Sequence, residues 1–246
     1  MKGLTPCGNL SPNAPKRAAR RQKAEQEMTP SGDQKSVNKS RHGNSKVTRD
    51  EWLQAARDIL VTKGASDVKV LTLSKRLGVA RSSFYWYFEN RSDLLDALLK
   101  EWEARNTKCI VDKCALHTTS IAQTVCHFFE CFIDPRLFDQ RLDFAVREWS
   151  RRDAFIRSKI DEADLARLKA LTHAFARHGY DAAGSDARAR ILYFMQLGYH
   201  ALDIKESFDV RLARVEAYLL GFTGVSPDPV DIENFRTRVL ELGGVH

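Results

Sequence analysis

The chain has 246 residues, 43% of them hydrophobic, which is enough for one large domain or two modest ones with a real core. No stretch approaches ~18 uninterrupted apolar residues, so a membrane-spanning helix is excluded. The basic N-terminus lacks the apolar run of a secretory signal, and a cytoplasmic protein is expected. The net charge of +7 is local: residues 1–46 hold ten Lys/Arg against three Asp/Glu, and the remainder carries 29 of each sign.

Residues 1–46 are rich in Pro, Ser, Gly, Asn, Gln and Lys and poor in large apolar side chains. Such a composition buries too little surface to offset ordering entropy, so this segment reads as a disordered basic arm. Order begins at "VTRDEW". Thr48 followed by Glu51 forms a capping box, and Val47 with Trp52 forms a hydrophobic staple. Apolar residues at 52, 55, 56, 59 and 60 then mark one face of a helix that ends at Lys63-Gly64. A short second helix, "VLTLSKRL", stops at Gly78, and residues 81–87 read as a brief third. Asn90 caps a fourth, with Leu94, Leu95, Leu98, Leu99 and Trp102 on one face. Beyond residue 108 the signals predict helices near 120–133, 135–148, 153–178, 186–203, 209–222 and 231–241, and no strand. The fold class is all-α, with a small helical unit ahead of a larger bundle.

A short helix, a tight glycine turn and a second short helix make a helix-turn-helix, whose second helix enters a DNA major groove. In "GVARSSFYWYFENRSDLL", Leu77, Val79, Phe84 and Phe88 fall at inward spacings. Arg81, Ser82, Ser83, Tyr85, Trp86 and Tyr87 are left to the outer face or its edges. Hydroxyls of that kind donate to phosphate oxygens, and an arginine there can read guanine.

Residues 47–100 resemble the DNA-binding domain of the TetR family of transcriptional regulators. The likeness rests on "WLQAARDILVTKGASDVKVLTLSKRLGVARSSFYWYFENRSDLLDALL", which follows that family's order of helices and breaks without a gap. It implies a homodimeric regulator of double-stranded operator DNA, usually a repressor, released when a small molecule enters the C-terminal domain. It also implies phosphate contacts from Thr48, Tyr85, Tyr87 and Arg91, and base readout by Arg81, Ser82, Ser83 and Trp86. The chain departs from the family pattern at Val68-Lys69, where Thr-Thr is frequent, and at Leu71-Thr72, where Arg-Asp is frequent. The start of the second helix is where it differs. Ser82 stands where glycine is frequent.

The expected organisation is an arm over 1–46, a helix-turn-helix domain over 47–107 and a sensing and dimerisation domain over 108–246. Residues 47–105 hold ten basic and nine acidic residues, so the domain itself is nearly neutral. DNA affinity leans on counterion release, which assigns a role to Lys16, Arg17, Arg20, Arg21, Lys39, Arg41 and Lys46 of the arm; a merely solvated tail is the alternative. Within the C-terminal part the resemblance implies two dimerising helices, Arg188–Asp203 and Val210–Phe222. The interface is expected at Tyr193, Leu197, His200, Ala201, Leu212, Val215, Tyr218 and Leu219.

A pocket for a small apolar ligand is expected among Phe128, Phe129, Phe132, Phe144, Trp149, His173, Phe175, Met195 and Tyr199. Five scattered cysteines form no disulfide framework, and spacings such as Cys109–Cys114 and Cys126–Cys131 place the thiols apart on a helix. Cys114 and His117 would share a helical face, but buried inert thiols are the preferred reading. The mixed charges of "REWSRRD" read as a solvated helix face. No catalytic constellation emerges, and no enzyme activity, cofactor or metal is expected. A helical adaptor for a protein partner and an activator in place of a repressor remain the alternatives.

Overall fold

The computed structural model describes residues 47–243, and all regular structure among them is helical. The basic arm, with the seven cations singled out in it, lies outside the described residues. Helix α1 (Arg49–Lys63) begins at a complete capping box. The Glu51 N–H donates to the Thr48 hydroxyl at 3.3 Å while the Thr48 N–H donates to the Glu51 carboxylate at 2.7 Å. Hydrogen bonds from the Thr48 backbone and side chain hold the Glu51 carboxyl below its ordinary range. Val47 packs on the core that contains Trp52, as the staple requires.

Helix α2 (Val70–Leu77) is closed by Gly78 at φ 68°, with the Val79 N–H returning to the Ser74 carbonyl at 3.0 Å. That left-handed residue has to be glycine-like, and it swings the chain directly into the next turn. Residues Arg81–Trp86 form a 3-10 turn rather than the expected α-helix. So few residues barely propagate an α-helix, and the tighter bond from Tyr87 N–H to the Phe84 carbonyl closes the run at 3.0 Å.

Helix α3 (Arg91–Trp102) is capped by Asn90 and runs through a wide π turn (Glu103–Thr107) into α4 (Lys108–Ala115), a helix that the sequence pattern leaves unmarked. The backbone is therefore helical straight across residue 108. Helices α5 (Ile121–Ile133), α6 (Gln140–Ser150), α7 (Ala154–Arg177) and α8 (Ala182–Ala201) follow, each opened by a side-chain cap from Ser120, Asp139, Asp153 and Asp181 respectively. Those caps move two predicted starts: α6 begins later than 135 and α8 earlier than 186. The single helix expected over 209–222 is two, α9 (Phe208–Ala213) and α10 (Val215–Thr223), because Arg214 leaves helical geometry at φ −98°, ψ −2°. Helix α11 (Pro229–Gly243) ends the described chain.

Two apolar cores result. The first gathers Trp52, Ile59, Leu73, Phe84, Phe88 and Trp102, and is completed by Leu142 and Val146 of α6 and Ile156 and Ile160 of α7. The second gathers Ile110, Phe128, Phe138, Phe175, Leu192 and Leu219 from α4, α5, α7, α8, α10 and the loop before α6. Helices α6 and α7 thus close the small N-terminal unit and build the larger one.

Candidate nucleic-acid interface and sensor cavity

The aromatic run divides as its spacing predicts. Phe84 and Phe88 are buried beneath it, with Phe84 edge-on to Trp52 at a centroid distance of 5.3 Å. Tyr85 and Trp86 stand out at 60% and 64% exposure, flanked by exposed Arg81 and Ser82. Four groups able to contact phosphate or base edges therefore share one surface, held up by a rigid aromatic base.

The other four predicted contacts are partly committed within the chain. Ser83 donates its hydroxyl to the Ala80 carbonyl at 2.7 Å, and Tyr87 is half-buried against the first core. Both donor groups of Thr48 face the Glu51 carboxylate. Arg91 donates through Nε to the Val68 carbonyl at 2.6 Å and through Nη2 to the Ala65 carbonyl. This last contact answers a question the sequence raised, because Lys69, the residue before α2, makes no side-chain cap. Arg91 fixes the backbone that enters α2 in place of a capping hydroxyl.

A cavity of about 100 Å³ opens among α5, α8, α9, α10 and α11. Its walls are Phe129, Phe132, Ile133, Met195, Leu212, Val215, Tyr218, Leu219, Phe235 and Val239, with Gln196, Tyr199 and Arg211 as the polar members. Of the ligand residues expected from sequence, Phe129, Phe132, Met195 and Tyr199 meet there. Phe128 and Phe175 are fully buried in the core behind it, and His173 is exposed on α7. Phe144 and Trp149 line a different feature, a polar cleft of about 720 Å³ between the end of α1 and α6. Four residues assigned to the dimer interface, Leu212, Val215, Tyr218 and Leu219, are cavity wall instead. Helix α10 is apolar on almost every side, so periodicity could not say which side faces inward.

Residues 53–98 match the family model described as bacterial regulatory proteins, tetR family. Over those residues the chain is similar to that family. Tetracycline repressor protein class A from transposon 1721 of Escherichia coli is 36% identical over 62 residues, which is 25% of this chain and 29% of that protein. The HTH-type transcriptional regulator SrpR of Pseudomonas putida is 33% identical over 52 residues, 21% of this chain and 24% of its own length. The chain thus spans about a quarter of the length of these curated relatives. Among solved structures, a TetR-family transcriptional regulator from Marinobacter aquaeolei VT8 superposes with a TM-score of 0.56 at 15% identity, covering 80% of this chain and 98% of that one. AmtR of Mycobacterium smegmatis gives 0.52 at 19% identity, covering 83% and 98%. These two likenesses extend the shared fold through the C-terminal helices.

The N-terminal helical unit is joined to the rest of the chain by a buried polar network that the sequence pattern does not reveal. Trp102, at the end of α3, donates Nε1 to Asp143 of α6 at 2.8 Å. Arg167 of α7, fully buried, reaches the same carboxylate at 3.1 Å and also contacts Thr107 and the Tyr193 hydroxyl. Arg147 bridges Asp143 at 2.8 Å to Asp164 at 2.6 Å, and the Tyr193 hydroxyl donates to Asp164 at 2.6 Å. Burial alone would raise the Asp143 carboxyl, but Arg167 and Arg147 outweigh it and hold the group down at about 2. Arg147, read from sequence as part of a solvated face, is one of the principal links. A charged residue placed between apolar neighbours on α6, Asp143 beside Leu142, was the available signal.

The same network corrects the interface set: Tyr193 spends its ring in the core and its hydroxyl on Arg167 and Asp164. His200 packs between Phe132 and Phe138 at 5.2 and 6.0 Å. Burial lowers its imidazole to about 4. Leu197 is half-buried and Ala201 exposed. The outward apolar stripe of α8 is instead Ala187, Ile191, Phe194 and Ala201, with Ile191 and Phe194 at 58% and 48% exposure. Exposed Ala217, Leu220 and Gly221 lie on α10.

The thiols also regroup. The Cys109 and Cys131 thiols, on α4 and α5, donate to the Asn106 and His127 carbonyls, and their mutual influence lowers the Cys109 thiol and raises that of Cys131. Burial pushes Cys114 and Cys126 up to about 12. All four are free, and His117 lies past the end of α4, off the helix that holds Cys114. No helix among the described residues is long and apolar enough to cross a membrane.

Proposed function

We propose that the chain is a cytoplasmic, sequence-specific DNA-binding transcriptional regulator that acts as a homodimer, a repressor that a small apolar ligand releases from its operator. The observation that carries this reading is the Arg81, Ser82, Tyr85, Trp86 surface, exposed on a turn that Gly78 aims outward and that Phe84 and Phe88 anchor. Arg81 and Ser82 are suited to base edges, and Tyr85 to a phosphate oxygen. Trp86 supplies apolar contact to a thymine methyl or to sugar. The residues committed inside the chain, Ser83, Tyr87, Thr48 and Arg91, set the pose of that surface.

Two copies reading half-sites ~34 Å apart need a two-fold interface. The α8 stripe of Ala187, Ile191, Phe194 and Ala201 beside Leu220 and Gly221 of α10 supports one, since apolar side chains alternate there with residues small enough for close helix approach. The cavity beneath those helices is the sensor site in this scheme. A ligand seated there displaces α8, and the Tyr193–Arg167–Asp143–Trp102 chain carries the change to α3, shifting the population away from the DNA-binding spacing.

Gel-shift binding to DNA upstream of the gene and its neighbours, across a salt series with excess competitor, tests the reading. A discrete competitor-resistant complex is expected from the intact chain. A folded dimer of the Arg81→Ala, Tyr85→Ala variant should bind on the order of 100-fold or more weakly, since each such side chain on DNA is worth ~1–3 kcal/mol. Binding that only tracks salt, or that survives the double substitution unchanged, would sink it in favour of a helical adaptor.

A further inference from the structure

The cavity contains one cation and no acid. Arg211 projects from the short helix α9 into walls that are otherwise apolar apart from Gln196 and the tyrosine hydroxyls, and neither Asp nor Glu lines it. Its guanidinium lies over the Tyr199 ring at 5.7 Å and donates one long hydrogen bond, 3.4 Å, to the Ile204 carbonyl. Its Nε–H is buried and has no partner among the described residues. The nearest carboxylate that senses it, Glu206, is already held by Arg214 at 2.6 Å and by the Tyr199 hydroxyl at 3.3 Å.

A buried N–H without a partner is costly, so the Nε–H of the part-buried Arg211, whose Nη2 already donates to Ile204, is a place for an added acceptor. The neighbouring polar atoms point to what that is. The Tyr199 and Tyr218 hydroxyls line the cavity and hydrogen-bond to one another at 2.9 Å, so the pair can offer at most one further proton to an oxygen acceptor. The rest of the wall is hydrocarbon and ring. An aliphatic or aromatic body would fill it, because a cavity of ~150 Å³ already accepts a benzene ring and this one is of that order.

We propose that the cavity takes a small apolar acid, its carboxylate seated on the Arg211 guanidinium and its hydrocarbon body between Phe132, Met195 and Leu219. The assignment rests on reading the cavity as the sensor site, and it names the chemical class of the ligand. A neutral ligand of the same shape would leave Arg211 uncompensated, and an amine would add a second buried cation. Charge-assisted hydrogen bonds exceed neutral ones by enough to discriminate these three cases on the order of 10-fold or more.

Octanoate, 1-octanol and octylamine, titrated calorimetrically into the intact chain, separate them. The expected result is that octanoate binds at least about 10-fold more tightly than the other two. In Arg211→Gln it should fall to the level of octanol, while octanol binding is unchanged and reports an intact cavity. Arg211→Lys should retain part of the preference. Equal binding of octanoate and octanol by the wild-type chain would overturn the carboxylate assignment and leave the sensor cavity standing. A Met195→Trp variant fills the space: octanol binding that persists in it, or no binding of any probe to the wild-type chain, would overturn the cavity reading and the assignment with it.

Discussion

The two cores are assembled by different chemistry. The N-terminal one is built largely from residues near one another in sequence, Trp52, Ile59, Leu73, Phe84 and Leu95, with α6 and α7 closing it, and its polar work is done at the edges by caps and by Arg91. The C-terminal one draws on six helices from α4 to α11 and has charge buried at its junction with the first, where Arg167 and Asp143 are both inaccessible to water. The lesson is a division of labour. A surface that must present Tyr85 and Trp86 in one fixed pose sits on dry packing, which has one good arrangement. The region that would answer a ligand holds a cavity and a network of directional bonds, which can be rearranged by one added group.

That contrast can be broken most forcefully at Asp143. Replacement by Ala leaves Arg167 and Arg147 facing each other without their shared anion and strands the Trp102 N–H. Urea unfolding should show a loss of about 3–5 kcal/mol, and a loss under 1 kcal/mol would mean that the network is not a structural centre.

A second test is the pH dependence of stability. The His200 imidazole is lowered by burial to about 4, so as pH falls the unfolded chain takes up the proton first. Stability should be complete above ~6.5 and decline by at most ~3 kcal/mol as pH falls towards about 4, with His200→Phe flattening that slope. An unchanged slope in the variant would assign the window to other groups.

The smallest effect sharpens the N-terminal half of the comparison. Arg91→Ala removes two donors from the backbone entering α2, and should lower stability by about 2 kcal/mol. DNA affinity should fall as well, because the turn that carries Tyr85 is misplaced rather than because a phosphate ligand is gone. If the variant's salt slope of DNA binding drops by about one unit, Arg91 contacts phosphate after all. If its stability loss equals that of Asp143→Ala, the edge-against-centre contrast fails.

Legibility followed the range of the interactions. Capping at Thr48, Asn90 and the glycine stop at Gly78 are decided within a few residues, and the structure shows them as read. The inward set Leu77, Val79, Phe84, Phe88 was equally readable, since a glycine-fixed turn leaves only one side for the core. The cavity was half-legible. Phe132, Met195 and Tyr199 were named from sequence, whereas Arg211 was not, because a lone arginine on a short polar helix is normally solvated. On α10 the residues named for the interface line the cavity, and periodicity gave no sign of this because the helix lacks a polar side to set its phase.

Readable from the residues alone were the all-α class, the helix-turn-helix with its outward aromatic pair, and the family that residues 53–98 resemble. Each rests on periodicity and backbone chemistry that act over a turn or two. Tertiary structure alone decided that Asp143, Arg147 and Arg167 form one buried centre, that Cys109 meets Cys131, and that Arg211 stands in an apolar cavity. Those meetings join residues from separate helices, and the charge or solvent exposure of each group is set by neighbours that no local pattern encodes.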